Sequence, residues 1–197
     1  SLKDGIGRVW QCGTMQVDPN LPERLGATYV GQDNQRHVPI MLHRAALGSL
    51  ERFFGILTEQ YGGAFPLWLA PEQARILPIS EKQAAYAAQV ADQLRAAGVR
   101  VTEDGRPDKI GTKIRDAQVA KVPYMLVAGG REAEAGALAV RSRCAGDRGV
   151  KPVAAVGRTV NRRTTAWRTG VDAVNGFAPL RRIPIRPDAT CEAFAET

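Results

Sequence analysis

The 197-residue sequence predicts an α/β chain, α+β overall, built from two successive domains and a basic tail. Three observations predict it. Strand-prone runs follow one another at hairpin distance before residue 65. Strand and helix patterns alternate from residue 71 to 150. Between them, Phe65-Pro66-Leu67-Trp68-Leu69-Ala70-Pro71 is a Pro-bracketed connector, which sets domain limits of 1–65 and 71–150.

In the first domain, Trp10–Asp18 reads as a strand bounded by Gly7 and Pro19. Ala27–Val30 runs into Gly31-Gln32-Asp33-Asn34, and Gln35–His43 follows, which is an antiparallel hairpin signal. In its second arm Val38, Ile40 and Leu42 alternate with His37, Pro39, Met41 and His43. Strand alternation then puts the aliphatics on one face and both histidines on the other. A helix closes the domain from about Ser49 to Tyr61. Leu47, Leu50, Phe54, Leu57 and Tyr61 recur at helical spacing as its expected buried stripe, and Arg52 lies off it.

The second domain opens with a strand, Arg75–Ile79. Ser80-Glu81-Lys82-Gln83 has the spacing of a capping box and starts a helix that Gly98 ends. Val99–Thr102 is the next strand, Glu103–Asp108 a loop, Lys109–Ala120 a helix and Tyr124–Val127 a strand. Ala128–Gly136 reads as a Gly-rich hairpin and Ala137–Arg143 as the last strand. That order describes a small α/β domain with a mixed sheet of four or five strands. In the tail, 151–197, Val153, Val156, Val160, Thr164, Trp167, Val171 and Val174 recur at helical spacing, with Pro152 suited to the first turn. Pro179–Pro187, with Arg181, Arg182 and Arg186, reads as disordered or polyproline-like chain.

Lys and Arg number 27 against 20 Asp and Glu, a formal charge of +7, with the larger share of the surplus after residue 150. Such a balance is compatible with nucleic acid or anionic lipid as partner. No apolar run reaches the roughly 18 residues that a membrane span needs, so no membrane-spanning role is expected. Cys12, Cys144 and Cys191 form no CxxC pair, which predicts neither a disulfide framework nor a cysteine zinc finger and points to a reducing compartment. The chain has no secretory leader pattern and does not begin with Met, so it reads as part of a longer polypeptide.

Taken by themselves, the candidate site residues support modest chemistry. A single histidine on a strand is ordinarily structural, because zinc needs three or four ligands with ordered spacing. Cys12 is the only other soft ligand in the first domain. Arg44 and Arg52 read as solvated charges or ion-pair partners. Gly48-Ser49 reads as a helix N-cap that can also leave backbone N–H groups for an anion.

Longer blocks carry a resemblance. Trp10-Gln11-Cys12-Gly13-Thr14-Met15-Gln16-Val17-Asp18, Leu21-Pro22-Glu23-Arg24, Tyr29-Val30-Gly31-Gln32-Asp33 and His43-Arg44-Ala45-Ala46-Leu47-Gly48-Ser49-Leu50-Glu51-Arg52-Phe53 resemble threonyl-tRNA synthetases. The last of these blocks is similar to the third signature motif of class II aminoacyl-tRNA synthetases. The similarity continues through Trp68-Leu69-Ala70-Pro71, Lys109-Ile110-Gly111, Val122-Pro123-Tyr124-Met125-Leu126-Val127 and Ala139-Val140-Arg141-Ser142-Arg143, about three quarters of the chain. It implies the end of a class II catalytic core, an antiparallel sheet with the motif-three helix, followed by a mixed-sheet anticodon-binding domain.

The resemblance also implies roles, position by position. His43 matches one of three ligands of a Zn2+ ion that binds the amino and hydroxyl groups of threonine. A site that engages a hydroxyl rejects isosteres lacking it far better than an apolar pocket does. Arg52 matches the motif-three arginine that stacks on adenine and neutralises ATP phosphates, tasks suited to a planar, permanently charged group. Gln11 matches a nucleotide contact, Thr14 and Gln16 line the threonyl-adenylate pocket, and Ser49 lies beside it; Gln16 and Arg52 are the catalytic candidates. Thr14 and Gln16 share strand parity whereas Gln11 does not, so a bulge near Gly13 is expected. Glu132 and Arg141 match anticodon-reading positions, while two further positions depart as Pro107 and Lys121. The family implies ATP with Mg2+, threonine, threonine tRNA, a homodimer and a cytoplasmic location. Motifs one and two, two zinc ligands and an editing domain are expected upstream of these residues. The alternative reading is a tRNA-binding module without catalysis.

Overall fold

The computed structural model describes residues 1–161; Thr164, Trp167, Val171, Val174, the Pro179–Pro187 stretch and Cys191 lie outside the described residues. The chain divides into two compact units, Ser1–Gly63 and Ala64–Thr197.

The first unit is antiparallel throughout and consists of three two-stranded sheets. β1 (Leu2–Lys3) pairs with β2 (Val9–Trp10), β3 (Thr14–Asp18) with β6 (Met41–Ala45), and β4 (Tyr29–Val30) with β5 (Arg36–His37). A short helix, α1 (Asn20–Arg24), follows β3, and α2 (Leu50–Tyr61) ends the unit. The expected strand Trp10–Asp18 is therefore two strands, with Gln11–Gly13 outside the ladders. A full break, not a single bulge, resets the parity there. The turn before α2 crosses the backbone at this break: Gly48 has φ +69°, and a Cβ on it would stand 2.8 Å from the Cys12 carbonyl oxygen. Cys12 itself is buried, with a free thiol.

The hairpin turn falls where the Gly/Asp/Asn signal puts it. Gly31 N donates to Gln35 O at 2.9 Å, Asn34 takes the left-handed conformation at φ 58°, and the Asp33 carboxylate accepts from Gln35 N and from His37 Nε2. The long second arm, however, breaks at Val38–Ile40 into β5 and β6, strands of different sheets. His37 and His43 consequently do not share a face.

The α2 stripe also differs from expectation. Ser49 caps the helix by accepting from Arg52 N, and Gly62, at φ 53°, closes it. Phe53, Ile56, Leu57 and Tyr61 are half-buried, but Leu50 is 65% and Phe54 62% exposed. Three two-stranded sheets present too little surface to cover every apolar position of a 12-residue helix.

The second unit closes its core. Its five strands run in the order β11 (Gly146–Pro152), β10 (Ala137–Ser142), β9 (Tyr124–Ala128), β7 (Ala74–Pro78), β8 (Val101–Glu103). β7 is parallel to β8 and to β9, and β10 is antiparallel to both of its neighbours. The mixed sheet expected from the sequence is thus present. The connection β7–α3 (Ala84–Ala96)–β8 steps one way along the sheet, and β8–α4 (Ile110–Val119)–β9 steps back across β7. Two crossovers of the same hand in opposite directions place α3 and α4 on opposite faces. Alternation then divides the core. Ile76, Leu126, Leu138 and Val140 join Val90 and Leu94 of α3, whereas Leu77 and Met125 join Ala117 of α4.

Three local expectations are corrected. Ala128–Gly136 is not a plain hairpin but carries a short helix, α5 (Gly130–Glu134), ended by Gly136 at φ 61°. The capping box links Ser80 Oγ to Gln83 Oε1 at 2.6 Å and opens one 3-10 turn, Glu81–Gln83, before α3. Pro152 ends a strand instead of beginning a helix; residues 153–161 are helical. Val153, Val156 and Val160 belong to the α3-side core, so packing continues past residue 150.

Candidate functional site

In the first unit the register decides which side chains meet. Gln16 stands opposite His43, Thr14 opposite Ala45 and Asp18 opposite Met41. Thr14, Gln16, Asp18 and His43 therefore share one sheet face, and Met15, Val17 and Leu42 the other. Asp18 organises the polar face. Its Oδ1 accepts from Asn20 N at 2.9 Å and Leu21 N at 3.0 Å, and its Oδ2 accepts from His43 Nε2 at 3.2 Å. The Leu21 N–H, then His43, then the Asn20 N–H hold this carboxyl below its ordinary range.

Arg52 projects from the first turn of α2, with its guanidinium carbon 5.6 Å from the Trp10 ring centre. Trp10 is itself fixed, because its indole N–H donates to Asp4 Oδ2 at 2.9 Å and Arg8 lies 5.3 Å from its ring centre. Burial pushes the Asp4 carboxyl up, but hydrogen bonds from Trp10 and Arg8 outweigh it and hold the group at about 2. Arg8 also pairs with Glu59 of α2 at 2.9 Å, tying the turn before β2 to the helix. Ser49 Oγ donates to Glu51 Oε2 at 2.8 Å, and exposed Gln11 lies in the strand break whose backbone Gly48 crosses.

Among the described residues there is no group of three or more His, Cys, Asp or Glu side chains placed to hold a metal ion. His43 and Asp18 are two donors, and they are bonded to each other. These residues by themselves do not fit the tetrahedral set that zinc requires.

In the second unit, Glu132 sits on α5 at the C-terminal ends of β7 and β9. Its carboxylate folds back over Gly129, where a Cβ would collide with Glu132 Oε2 and with Ile79 Cδ1. Burial and the Glu132 charge both raise the nearby Tyr86 hydroxyl, which donates to Ala137 O at 2.7 Å. Arg141 lies on β10 between Met125 of β9 and Asp147 of β11. Its Nε is buried and has no hydrogen-bond partner among the described residues.

Similarity to known proteins follows the same division. Residues 2–61 match the family described as "tRNA synthetase class II core domain (G, H, P, S and T)", and residues 73–163 match "Anticodon binding domain". The chain is 58% identical over 154 residues to a threonine–tRNA ligase of Thermus thermophilus, covering 78% of this chain and 23% of that protein. It is 55% identical over 150 residues to the threonine–tRNA ligase of Syntrophomonas wolfei, covering 76% and 24%. The chain belongs to the threonyl-tRNA synthetase family. It spans about a quarter of the length of these curated relatives. The crystal structure of the RNA-binding domain of threonyl-tRNA synthetase from Cryptosporidium parvum superposes with a TM-score of 0.74 at 34% identity, over 82% of this chain and 41% of that one.

Set against the family's pattern, the structure brings Thr14, Gln16 and His43 together by register, while Ser49 and Arg52 lie at the N-cap and in the first turn of α2, Arg52 over the Trp10 ring. Gln11 lies off the ladder, and Glu132 and Arg141 come from different elements of the second unit. Reasoning from sequence alone overlooked Asp18 and Trp10. Their signals were present: Asp18 shares parity with Gln16 and precedes the Pro19-Asn20 turn, and Trp10 directly precedes Gln11. Lys113 was overlooked too; only 3% exposed, it donates from Nζ to Pro78 O and Asp104 O at 3.0 Å each, tying the end of β7 to the loop after β8. A cleft of about 470 Å3 is lined by Arg75, Arg106, Asp104 and Asp116, whose charges are already paired, Arg106 with Asp104 and Asp116, and Arg75 with Glu72 outside the lining.

Proposed function

We propose that this chain supplies the end of a class II catalytic core, within 1–65, and an anticodon-binding domain, from 71 to 150 and onward, to a threonine–tRNA ligase. The complete enzyme activates threonine with ATP and Mg2+ and transfers it to threonine tRNA, acting as a homodimer in the cytoplasm. The observation that carries the reading is the Gln16–His43 register, which sets the family-matched Thr14, Gln16 and His43 on one face of the β3–β6 sheet. On it, Thr14 and Gln16 contact the threonyl-adenylate, and Gln11 and Ser49 border the nucleotide. Arg52 stacks on adenine and neutralises phosphate charge as it develops. By the family's pattern His43 would be one ligand of a Zn2+ ion that would bind the amino and hydroxyl groups of threonine, with the remaining ligands supplied from outside the described residues.

Glu132 and Arg141 read anticodon bases. A carboxylate accepts from base amino groups, and a guanidinium donates to or stacks on unpaired bases. Lys121 keeps a charge but not the planar fork, and Pro107 offers no polar side chain. The test is binding of the 197-residue chain to threonine tRNA and to a tRNA of unrelated anticodon, followed by fluorescence anisotropy across a salt series. Preference for threonine tRNA that weakens as salt rises supports the reading. Equal affinity for both tRNAs refutes the anticodon assignment. The same chain should show no threonine-dependent ATP–pyrophosphate exchange, since a motif-two arginine is not among its matched blocks; exchange by a sample free of host synthetase would contradict that.

A further inference from the structure

We propose that Asp18 is a positioning residue for His43: it holds the ring in the Nε2–H tautomer, so that Nδ1 is the atom through which His43 meets its ligand. The hydrogen-bond geometry carries this. An ionised carboxylate only accepts, so the contact between Asp18 Oδ2 and His43 Nε2 at 3.2 Å requires the proton on Nε2. The carboxylate cannot swing away to serve another arrangement, because Oδ1 is held by two backbone donors, Asn20 N at 2.9 Å and Leu21 N at 3.0 Å. The two oxygens therefore have separate tasks. Oδ1 anchors the group to the turn opening α1, and Oδ2 orients the imidazole from the strand paired with its own.

In a neutral imidazole one nitrogen donates and the other carries the lone pair, and the partner of one fixes the role of the other. With Nε2 committed to Asp18, Nδ1 is left as acceptor toward a cation or a hydrogen-bond donor. The inference rests on the proposed function only for the identity of that ligand; the tautomer itself is a property of the free chain.

The chain has two histidines, so a 15N-labelled sample yields a two-ring spectrum. Long-range 1H–15N correlation, at a pH where both rings are neutral, should show His43 as Nε2–H. In Asp18→Asn the two backbone donors keep the amide oxygen toward Asn20 and Leu21. The amide NH2 then faces His43 and donates to Nε2, which inverts the ring to Nδ1–H, as exchanging carboxylate for amide at an orienting position does. His37, held by Asp33 at 2.9 Å, should not change and serves as the internal control. A purely structural Asp18 would not reverse the tautomer. His43 remaining Nε2–H in Asp18→Asn, or Nδ1–H in the unmodified chain, overturns the proposal. Should Asp18→Asn fail to fold, Asp18→Ser decides. Its hydroxyl can still cap Asn20 and Leu21 but cannot reach the ring, so the His43 Nε2–H resonance should broaden into exchange with water. An unaltered, slowly exchanging resonance refutes the assignment. Neither outcome depends on tRNA or adenylate binding, so its failure is distinguishable from failure of the proposed function.

Discussion

Arg141→Met should weaken RNA binding while leaving the second unit as stable as before or more so. The Nε of Arg141 is buried without a partner among the described residues, on a strand flanked by Met125 and Asp147. An unsatisfied buried donor costs about 1–3 kcal/mol. Methionine removes that donor and keeps an unbranched stem of similar reach, so unfolding free energy should stay level or rise by up to about 1–2 kcal/mol. For a domain of this size each kcal/mol moves the Tm by roughly 4–8 °C, which is readily measured. A base-reading arginine contributes roughly 1–3 kcal/mol, about 5- to 150-fold in Kd, and its loss relaxes specificity. The assay pairs thermal unfolding with tRNA anisotropy on the same samples. A variant that loses stability yet keeps both affinity and anticodon preference would show that Arg141 is a structural residue, and the reasoning from its orphaned nitrogen would fall.

Three further outcomes are expected. The folded carboxyl of Asp4 sits at about 2 against an ordinary 3.8, so its contribution to stability is complete above about pH 4 and is lost as pH falls through about 2. The Trp10 indole N–H resonance, downfield while bonded to ionised Asp4, should begin to shift as pH falls through about 2, where the folded-state carboxyl takes up its proton; a resonance unchanged through that titration is the contrary result. Leu126→Ala, at a fully buried site in the middle of β9, should cost about 2–5 kcal/mol in denaturant unfolding of the second unit, and a loss below about 1 kcal/mol would mean that the core there is not closed. After dialysis against a mild chelator the chain should hold well under one equivalent of zinc, because His43 and Asp18 do not complete a ligand set; stoichiometric zinc by elemental analysis would contradict this.

Much of the second unit was legible in the sequence because its signals are local and agree with one another. Gly98 ends α3 with positive φ, Lys109–Ala120 brackets α4 to within a residue at each end, and adjacent pairs such as Ile76–Leu77 and Met125–Leu126 serve opposite faces of a sheet covered on both sides. What failed to be legible involved competition between signals. Gly129-Gly130 reads as a turn, yet Arg131-Glu132-Ala133-Glu134 is helix-prone and forms α5 once Glu132 folds back over Gly129. β11 carries Gly146, Asp147 and Gly149, poor strand residues, and joins the sheet through an irregular register opposite Ala139–Arg141. In the first unit α2 forms where its apolar period puts it, but the period says which face favours burial and not whether the packed unit covers it. Leu50 and Phe54 lie outside the cover that the described strands provide.

The candidate site poses the same difficulty at closer range. Arg141 and Arg143 are two residues apart, have the same parity and are the same residue type, so sequence pattern treats them alike. Their hydrogen bonds do not. Arg143 donates from NH1 to Lys121 O at 2.6 Å and from NH2 to Ala64 O and Phe65 O at 3.2 Å each, closing the entry of its own unit against the end of α4. Burial lowers the pKa of that guanidinium, and its donors are directed to protein carbonyls. Arg141 leaves Nε without an acceptor among the described residues. A buried donor that the protein does not satisfy is a standing cost unless something else accepts from it. The difference between the two arginines therefore resides in partner geometry, a property of the folded sheet that no local window of the sequence contains. Asp18 follows the same logic with the opposite outcome: its lone pairs are divided between a turn and a ring, and the far nitrogen of His43 is the atom proposed to meet the ligand.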